Sequence, residues 1–98
     1  MSLPVIFRAE TLDDLDGAFA WYERQRSGLG EEFLDEVRDQ IARVRDNPEL
    51  YGVLHRGVRA SPIRRFEYVV YYRVEADRIV VIAVQHARRD PRRWRSRA

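Results

Sequence analysis

The sequence predicts an α+β fold in which an N-terminal strand and an αα-hairpin pack on one face of a small, mainly antiparallel sheet. Three observations predict it: two amphipathic helical stripes in the first half, two long apolar strand-like runs in the second half, and Gly or Pro residues between them. The order of elements is β-α-α-β-β-β. With 98 residues the chain is expected to form a single domain, residues 1–98.

The first strand and the first helix are predicted close to the N-terminus. Leu3–Phe7 is a short apolar run with β-branched residues, which indicates a strand. Thr11 and Asp14 have the spacing of a capping box and are expected to begin the helix. Apolar residues then recur at the spacing of an amphipathic helix: Leu12, Leu15, Phe19 and Tyr22.

The second helix is predicted after a glycine-containing break. Gly28 interrupts the first helix and suits a left-handed conformation. Glu31 and Glu32 place negative charge in the next helix's first turn, where the helix dipole favours it. Asn47-Pro48 ends that helix. Because few residues join the two helices, they are expected to form an αα-hairpin. The apolar face of the second helix consists of Phe33, Leu34, Val37, Ile41 and Val44.

Three strands are predicted after the hairpin, following an irregular segment from Pro48 to Arg56. Residues 57–63 form the first of them, and Pro62 confines it to a sheet edge or to the end of the strand. Phe66–Val74 and Ile79–His86 are apolar at both odd and even positions. That pattern is typical of central strands whose two faces are both covered.

Charge is unevenly distributed along the chain. Residues 1–55 contain six arginines and 12 acidic residues, whereas residues 56–98 contain 12 arginines, no lysine and four acidic residues. Four of these arginines lie in a basic tail from about residue 90. Arginine binds phosphate and carboxylate through two parallel hydrogen bonds, so the basic half is expected to meet an anionic partner. The alternative is that the acidic helices and the basic sheet face each other, or that both are solvated.

Composition argues against several classes of protein. The chain has no cysteine, which excludes disulfides and thiolate zinc sites. No run approaches the roughly 20 apolar residues of a transmembrane helix, and residues 1–8 lack signal-peptide features, so we expect a cytoplasmic protein without membrane contact. Residues 28–30 follow a helix and therefore do not fit a phosphate-binding loop. His55 and His86 alone make no metal site, so no cofactor or metal is expected. Three aspartates could also be considered as metal ligands, but their position at the predicted start of a helix explains them better: Asp13, Asp14 and Asp16.

A series of short motifs follows one another along almost the whole chain: Trp21-Tyr22, Gly28–Leu34, Asn47–Tyr51, Val58-Arg59, Arg65-Phe66, Val70–Val74 and Val84–Pro91. Together with the order of elements, these motifs resemble the RelE/ParE superfamily of bacterial toxins over about residues 4–95. Within that superfamily the sequence is most similar to the ParE, or plasmid stabilisation, branch.

The resemblance implies a toxin of a type II toxin–antitoxin system, neutralised by a cognate antitoxin whose C-terminal segment typically wraps the hairpin and sheet. ParE-branch toxins typically arrest growth by inhibiting DNA gyrase, which is the leading hypothesis. RelE-branch toxins cleave mRNA on the ribosome, so a ribosome-dependent endoribonuclease is the alternative. A third hypothesis is a degenerate, non-toxic member that acts only as a binding module. Because one fold carries all of these functions, individual side chains must distinguish them.

An endoribonuclease of this type needs no metal, but it needs a base, an acid and cations at the scissile phosphate. The candidates are Arg65 and Arg73 as phosphate ligands and His86 as acid or base. Tyr72 is a further hydrogen-bond donor. Each has a structural alternative: His86 could simply orient the turn that follows it, and Tyr72 could belong to the core. The lack of lysine, and Trp94 in the terminal segment where RelE-type members carry tyrosine or histidine, disfavour the nuclease.

The gyrase hypothesis assigns no catalytic residue and instead predicts a target-binding surface. Arginine and tryptophan side chains together anchor interfaces or stack on bases. The alternative for the tail is a solvated and partly frayed end. The predicted surface comprises Arg59, Arg65, Arg73, His86, Arg88, Arg89 and Trp94.

Overall fold

The structure, a computed structural model, describes residues 2–98, which form five strands and three helices. None of these helices is long and apolar enough to cross a membrane. The predicted order β-α-α-β-β-β is confirmed, with one short strand and one short helix in addition. In chain order the elements are β1 (Val5–Phe7), α1 (Ala9–Gln25), α2 (Leu29–Asp46), β2 (Val53–His55), β3 (Val58–Pro62), β4 (Tyr68–Val74), β5 (Ile79–His86) and α3 (Arg92–Arg95).

The five strands form one sheet in the order β1-β5-β4-β3-β2. β1 runs parallel to β5, and the other three pairings are antiparallel, which confirms the mainly antiparallel sheet. β1 and β2 are therefore the two edges. The helical hairpin carries the chain from one edge to the other across a single face of the sheet, which we call the helix side.

Both faces of the sheet are covered, as the apolar strands predict. On the helix side, Phe33 packs against Tyr22, Phe66 and Tyr68, with ring centroids 5.2, 5.3 and 5.1 Å away. The opposite face, called the rear side, carries a smaller cluster made of Val58, Tyr71, Val80, Ile82, Ala83 and Trp94. The short α3 and the C-terminal tail lie over this second cluster, so the tail contributes to the fold.

A bulge in β5 changes which of its residues face the helices. Tyr71 of β4 pairs with Ala83, and the next residue, Tyr72, pairs with Val81. Ile82, which lies between these two partners, therefore has no partner on β4. Val81 and Val84 both belong to the helix-side core, so the alternation of faces shifts at the bulge. His86, at the end of the strand, consequently lies on the helix side. Without the bulge it would point to the rear side.

The αα-hairpin is confirmed, and two glycines and a glutamate shape its short connection. Gly28 has a φ of +88°, in the left-handed region that glycine adopts readily. Glu23 of α1 accepts a hydrogen bond of 2.8 Å from the Gly30 amide, so a side chain of one helix caps the start of the other. A Cβ atom at Gly30 would lie 2.7 Å from the Phe19 ring. The close approach of the two helices therefore requires glycine at this position.

The predicted capping box of α1 is wrong. The helix begins at Ala9, and no side chain caps its start. The Thr11 hydroxyl is buried and donates to the Val81 carbonyl oxygen at 2.9 Å. Asp14 accepts a hydrogen bond of 3.1 Å from the Val84 amide. β1 pairs with β5 only as far as Val81. The Thr11 and Asp14 side chains therefore bind backbone groups of β5 where this pairing ends and beyond it.

Two short elements were not predicted. β2 lies in the segment expected to be irregular, and it gives no sequence signal because it is three residues long, with Val53 and Leu54 both exposed. α3 lies in the tail, where a single tryptophan provides no periodicity. The predicted strand from Phe66 begins two residues later, at Tyr68. Pro62 is the last residue of β3, as its missing amide hydrogen requires.

Candidate functional site

His86, the candidate acid or base, is held in the turn that follows β5. Its Nδ1 accepts a hydrogen bond of 3.1 Å from the Arg88 amide, and its Nε2 lies 3.4 Å from a Glu67 carboxylate oxygen. Its ring packs edge-on against Tyr68, with 5.4 Å between centroids. The hydrogen bond at Nδ1 therefore makes the imidazole part of the turn, while Nε2 makes no hydrogen bond to Glu67.

Arg65 lies in the connection between β3 and β4 and binds α2. Its guanidinium is 2.8 Å from the carboxylate of Glu32 and 3.9 Å from that of Glu36. The hydrogen bond from Arg65 is the main cause that lowers the pKa of Glu32, and the same bond raises the pKa of Arg65. Arg65 also has a φ of +70°, which is unusual for a residue with a side chain. These contacts fasten the connection to the second helix.

Arg59 and Tyr72, neighbours on β3 and β4, anchor the segment between α2 and β2. The Arg59 guanidinium donates to the carbonyl oxygens of Glu49, at 3.3 Å, and Tyr51. Tyr72 is fully buried, and its hydroxyl donates to the Pro48 carbonyl oxygen at 2.7 Å. Burial raises the pKa of Tyr72 to about 12. Tyr72 thus belongs to the core, and the arginine beside it stabilises an irregular segment.

Arg73 lies on the rear side of the sheet, away from the other two nuclease candidates. It pairs with Val80 and lies beside Gly57 in the turn between β2 and β3. His86 pairs with Tyr68 at the other end of β4, about 17 Å away along the strand. The structure therefore does not bring Arg65, Arg73 and His86 together around one phosphate.

Trp94, a member of the predicted target-binding surface, is buried on the rear side of the sheet. It is 4% exposed, and its indole stacks on Tyr71 with 4.6 Å between centroids and 13° between ring planes. His55 packs edge-on against the same indole at 6.1 Å. The rear side of the sheet is apolar and has to be covered, which is the physical reason for this burial. In this conformation the indole cannot stack on a partner.

Arg97 ties the end of the tail back to α1, a contact that the sequence did not reveal. Its guanidinium makes two hydrogen bonds to Asp14, of 2.7 and 3.0 Å, and a third to the Ile82 carbonyl oxygen at 3.1 Å. Both charged side chains are largely shielded from water, and the hydrogen bond with Asp14 raises the pKa of Arg97. The two residues are 83 positions apart, so no local pattern could pair them.

Arg88 and Arg89 remain as the exposed cations of the predicted surface. The Arg88 side chain is 82% exposed, and its one ion pair within residues 2–98 is a 3.8 Å contact with Glu67. Arg89 takes part in no ion pair within the described residues. Exposed pairs at such distances contribute little to stability. These two guanidinium groups are therefore free to bind another molecule.

Two concave surfaces flank α1. The first, called the aromatic cleft, has a volume of about 530 Å³ and lies between α1 and the end of β5. Aromatic rings and both signs of charge line it, and its members include Asp13, Asp14, Trp21, Tyr22, Tyr68, His86 and Arg89. The second, called the apolar groove, has a volume of about 370 Å³ and lies between β1 and both helices. It is lined by Phe7, Leu12, Leu15, Leu34, Val37, Arg38 and Ile41.

Among residues 2–98, no three His, Cys, Asp or Glu side chains are arranged so that they could hold a metal ion.

Two solved structures have a fold similar to that of this chain. A structure titled chromosomal ParDE TA system from P. aeruginosa matches with a TM-score of 0.75 and 14% identity, covering 87% of this chain and 96% of that chain. A double arginine-to-alanine mutant of the E. coli toxin RelE in the free state matches with a TM-score of 0.75 and 17% identity, over 100% and 95% of the two chains. At these identities the two structures show the fold.

No curated protein matches the sequence. The family described as the ParE toxin of type II toxin–antitoxin system, parDE, matches residues 5–91, which is most of the chain. Such a toxin implies a cognate antitoxin as its partner. The chain therefore belongs to the ParE toxin family of type II toxin–antitoxin systems.

Proposed function

We propose that this toxin arrests growth by binding and inhibiting DNA gyrase, as its resemblance to the ParE branch implies, and that it performs no cleavage of its own. The observation that supports this most is the dispersal of Arg65, Arg73 and His86. A ribonuclease needs its acid, base and cations within hydrogen-bond reach of one phosphodiester. Here Arg65 is bound to carboxylates of α2, Arg73 lies on the rear side, and the Nδ1 of His86 accepts a hydrogen bond from the turn that follows β5. Inhibition by binding requires no such convergence.

Arg88 and Arg89 form the proposed centre of the gyrase-binding surface. They lie in the turn after β5 that the His86 ring holds in place, so the fold positions both of them. Their guanidinium groups are free to make paired hydrogen bonds to carboxylates or phosphates of the target. Arg59 and Arg65 already bind groups within the chain, and we assign them structural roles. Arg73 is too distant along the sheet to share the same contact.

Charge reversal at both central positions, Arg88→Glu with Arg89→Glu, tests this assignment. We expect the toxin concentration that half-inhibits DNA supercoiling by gyrase to rise at least about tenfold, equivalent to about 1.4 kcal/mol of lost binding free energy. The unfolding temperature should change little, because neither guanidinium makes a short contact with the rest of the chain.

The matched control reverses two exposed arginines in the last turns of the helices, Arg24→Glu with Arg45→Glu. This control makes the same change in net charge and should inhibit gyrase as the wild type does. An equal loss of inhibition in both double variants would indicate a general charge effect. Unchanged inhibition by the Arg88/Arg89 variant would contradict the proposed surface.

We further propose that the cognate antitoxin covers the apolar groove. Leu12, one of the residues that line the groove, is 50% exposed. Exposed apolar side chains beside a groove between two helices are suited to the apolar face of a partner helix. Arg38, which also lines the groove, suits an acidic residue of the partner. An antitoxin segment with acidic and apolar residues fits this combination.

Replacing Leu12 with Asp should separate neutralisation from toxicity. We expect antitoxin binding to weaken by at least tenfold, because burial of a leucine side chain contributes about 1.5–3 kcal/mol. Toxicity should persist, since Leu12 lines the apolar groove and is not among the residues that line the aromatic cleft with Arg89. Titration calorimetry with the antitoxin measures the first effect and growth measures the second. Leu54→Asp, on the exposed β2 edge, is the control and should bind normally. Identical affinities for both variants would place the antitoxin elsewhere.

A further inference from the structure

We propose that the β2 edge of the sheet is a self-association surface, on which a second copy of this chain pairs antiparallel with the first. β2 ends the sheet on one side, so one side of its backbone faces no neighbouring strand. The apolar groove lies at the other edge, beside β1, which is four strand spacings or about 19 Å away. Self-association therefore leaves that groove to the antitoxin, and it does not depend on whether gyrase is the target.

The β2 edge is apolar and uncovered. Leu50, just before the strand, is 63% exposed, and Val53 and Leu54 within it are 54% and 57% exposed. These are three of the six large apolar side chains that are exposed among residues 2–98, and they lie within five positions of each other. Exposed apolar surface is thus concentrated beside an open strand edge. Such a concentration marks a surface that contacts another molecule.

The other side of the sheet shows how this chain closes a strand that has no neighbour. Where β5 extends beyond β1, the Asp14 carboxylate accepts a hydrogen bond of 3.1 Å from the Val84 amide. The Arg97 guanidinium donates one of 3.1 Å to the Ile82 carbonyl oxygen. One acceptor and one donor from side chains therefore replace the backbone groups that a further strand would supply.

The backbone of β2 has no comparable protection. No side-chain hydrogen bond within residues 2–98 reaches the backbone of residues 52–55. Gly52 makes the start of the strand accessible as well, since no atom lies within 4 Å of the position its Cβ would take. A glycine permits close approach of another backbone, and an open edge is a template for a further strand.

The charges beside β2 favour a second copy as the occupant. Glu49 precedes the exposed stretch and Arg56 follows it, at equal distances in sequence from the midpoint between Gly52 and Val53. Antiparallel pairing about that midpoint places Glu49 of one copy opposite Arg56 of the other, and the twofold symmetry repeats the contact. Both residues are exposed, and neither takes part in an ion pair within residues 2–98. A second copy supplies the counter-charge that each of them lacks.

The shortness of β2 limits the strength of this dimer. The strand has three residues, and its pairing with β3 is irregular between Val53 and His55. Short and irregular edge strands restrict strand addition. The contact area is therefore at the low end for specific interfaces, and we expect a dissociation constant on the order of 100 μM. The toxin should be monomeric when dilute and dimeric when concentrated.

Sedimentation velocity of the full chain, between about 10 μM and about 1 mM, measures this association. NMR spectra over the same range locate it: the amide signals of residues 52–54 should move with concentration, and the indole signal of Trp94 should not. Leu54→Asp should weaken association at least about tenfold, because the symmetry removes the apolar contact twice. Leu12→Asp, in the apolar groove, is the matched control and should associate as the wild type does.

Charge reversal tests the antiparallel arrangement. Glu49→Arg and Arg56→Glu should each weaken association about fivefold, because each places like charges together at both symmetric contacts. An equimolar mixture of these two variants should regain the wild-type affinity, since every contact then joins opposite charges. The control mixture combines Asp16→Arg with Arg24→Glu, at two exposed positions of α1, a helix that packs on α2 and β5. Each control variant alone, and their mixture, should associate as the wild type does.

Several results would overturn the proposal: a chain that stays monomeric at about 1 mM, a dimer that Leu54→Asp leaves intact, or two charge variants that do not regain affinity when mixed. Concentration-dependent shifts confined to the apolar groove would place the contact on another face. A loss of antitoxin affinity in Leu54→Asp would show that the antitoxin covers β2, which also contradicts self-association there.

Discussion

Replacing Trp94 with Ala is expected to destabilise the domain by about 3–5 kcal/mol, the usual effect of removing a large aromatic side chain from a core. The substitution removes the ring that stacks on Tyr71 and leaves a cavity over the rear side of the sheet. It also releases α3, whose packing depends on this side chain. For a domain of this size the unfolding temperature should fall by at least about 12 °C.

Thermal and denaturant unfolding measure this effect, and Trp21→Ala provides the control. Trp21 is about half exposed, so its removal should cost no more than about 1 kcal/mol. A stability of the Trp94 variant equal to that of the Trp21 variant would mean that the tail is not packed on the sheet. The tail would then be frayed, and its arginines would again be candidates for contact with a partner.

Replacing Asp14 with Ala is expected to destabilise the domain by about 3 kcal/mol, because it leaves the guanidinium of Arg97 without its counter-charge in a shielded position. The Val84 amide at the edge of β5 loses its acceptor in the same step. The double variant that also carries Arg97→Met should be more stable than Asp14→Ala alone, since no unpaired buried charge remains.

Asp35→Ala is the control for this second prediction. Asp35 and Arg38 are also 2.7 Å apart, but their side chains are about two-thirds exposed, so the loss should stay below about 1 kcal/mol. Urea unfolding of both single variants measures the difference. An equal loss of stability in both variants would contradict the expectation that an ion pair shielded from water contributes more than an exposed pair of the same length.

Two arginines of the second half, Arg65 and Arg97, form ion pairs with acidic residues of the first half. Arg65 joins the β3–β4 connection to Glu32 and Glu36, and Arg97 joins the tail to Asp14. In both cases an arginine of the basic second half meets an acidic residue of a helix. The composition favoured an anionic partner, but it also allowed the acidic helices and the basic half to face each other within the chain. In the structure, some of the arginines do form ion pairs with the helices.

The fold was predictable because its main signals are local. Helical stripes, the long runs of β4 and β5, and breakers such as Gly28 and Pro62 each reflect a constraint within a few residues. Where a residue's partner is distant in sequence, the prediction failed. Thr11 and Asp14 match a helix cap, but their side chains bind the edge of β5 instead.

The candidate site was harder to predict for the same reason. Chemically identical arginines occupy the tail, and the tertiary structure decides that Arg97 is shielded while Arg92 stays exposed. Tryptophan is a residue type that often anchors interfaces. Trp94 is instead buried, because it covers the apolar rear side of the sheet. The face on which His86 lies depends on the bulge at Ile82, which no alternating pattern reveals.

The most direct test of the proposed mode of action measures two quantities in the same cells after expression of the toxin: plasmid supercoiling and new 5′ ends in translated mRNA. The proposal of gyrase inhibition by binding predicts that supercoiling is lost and that no new mRNA ends appear. The opposite result, mRNA ends that appear with the wild type and vanish with His86→Ala while supercoiling is unchanged, would contradict it.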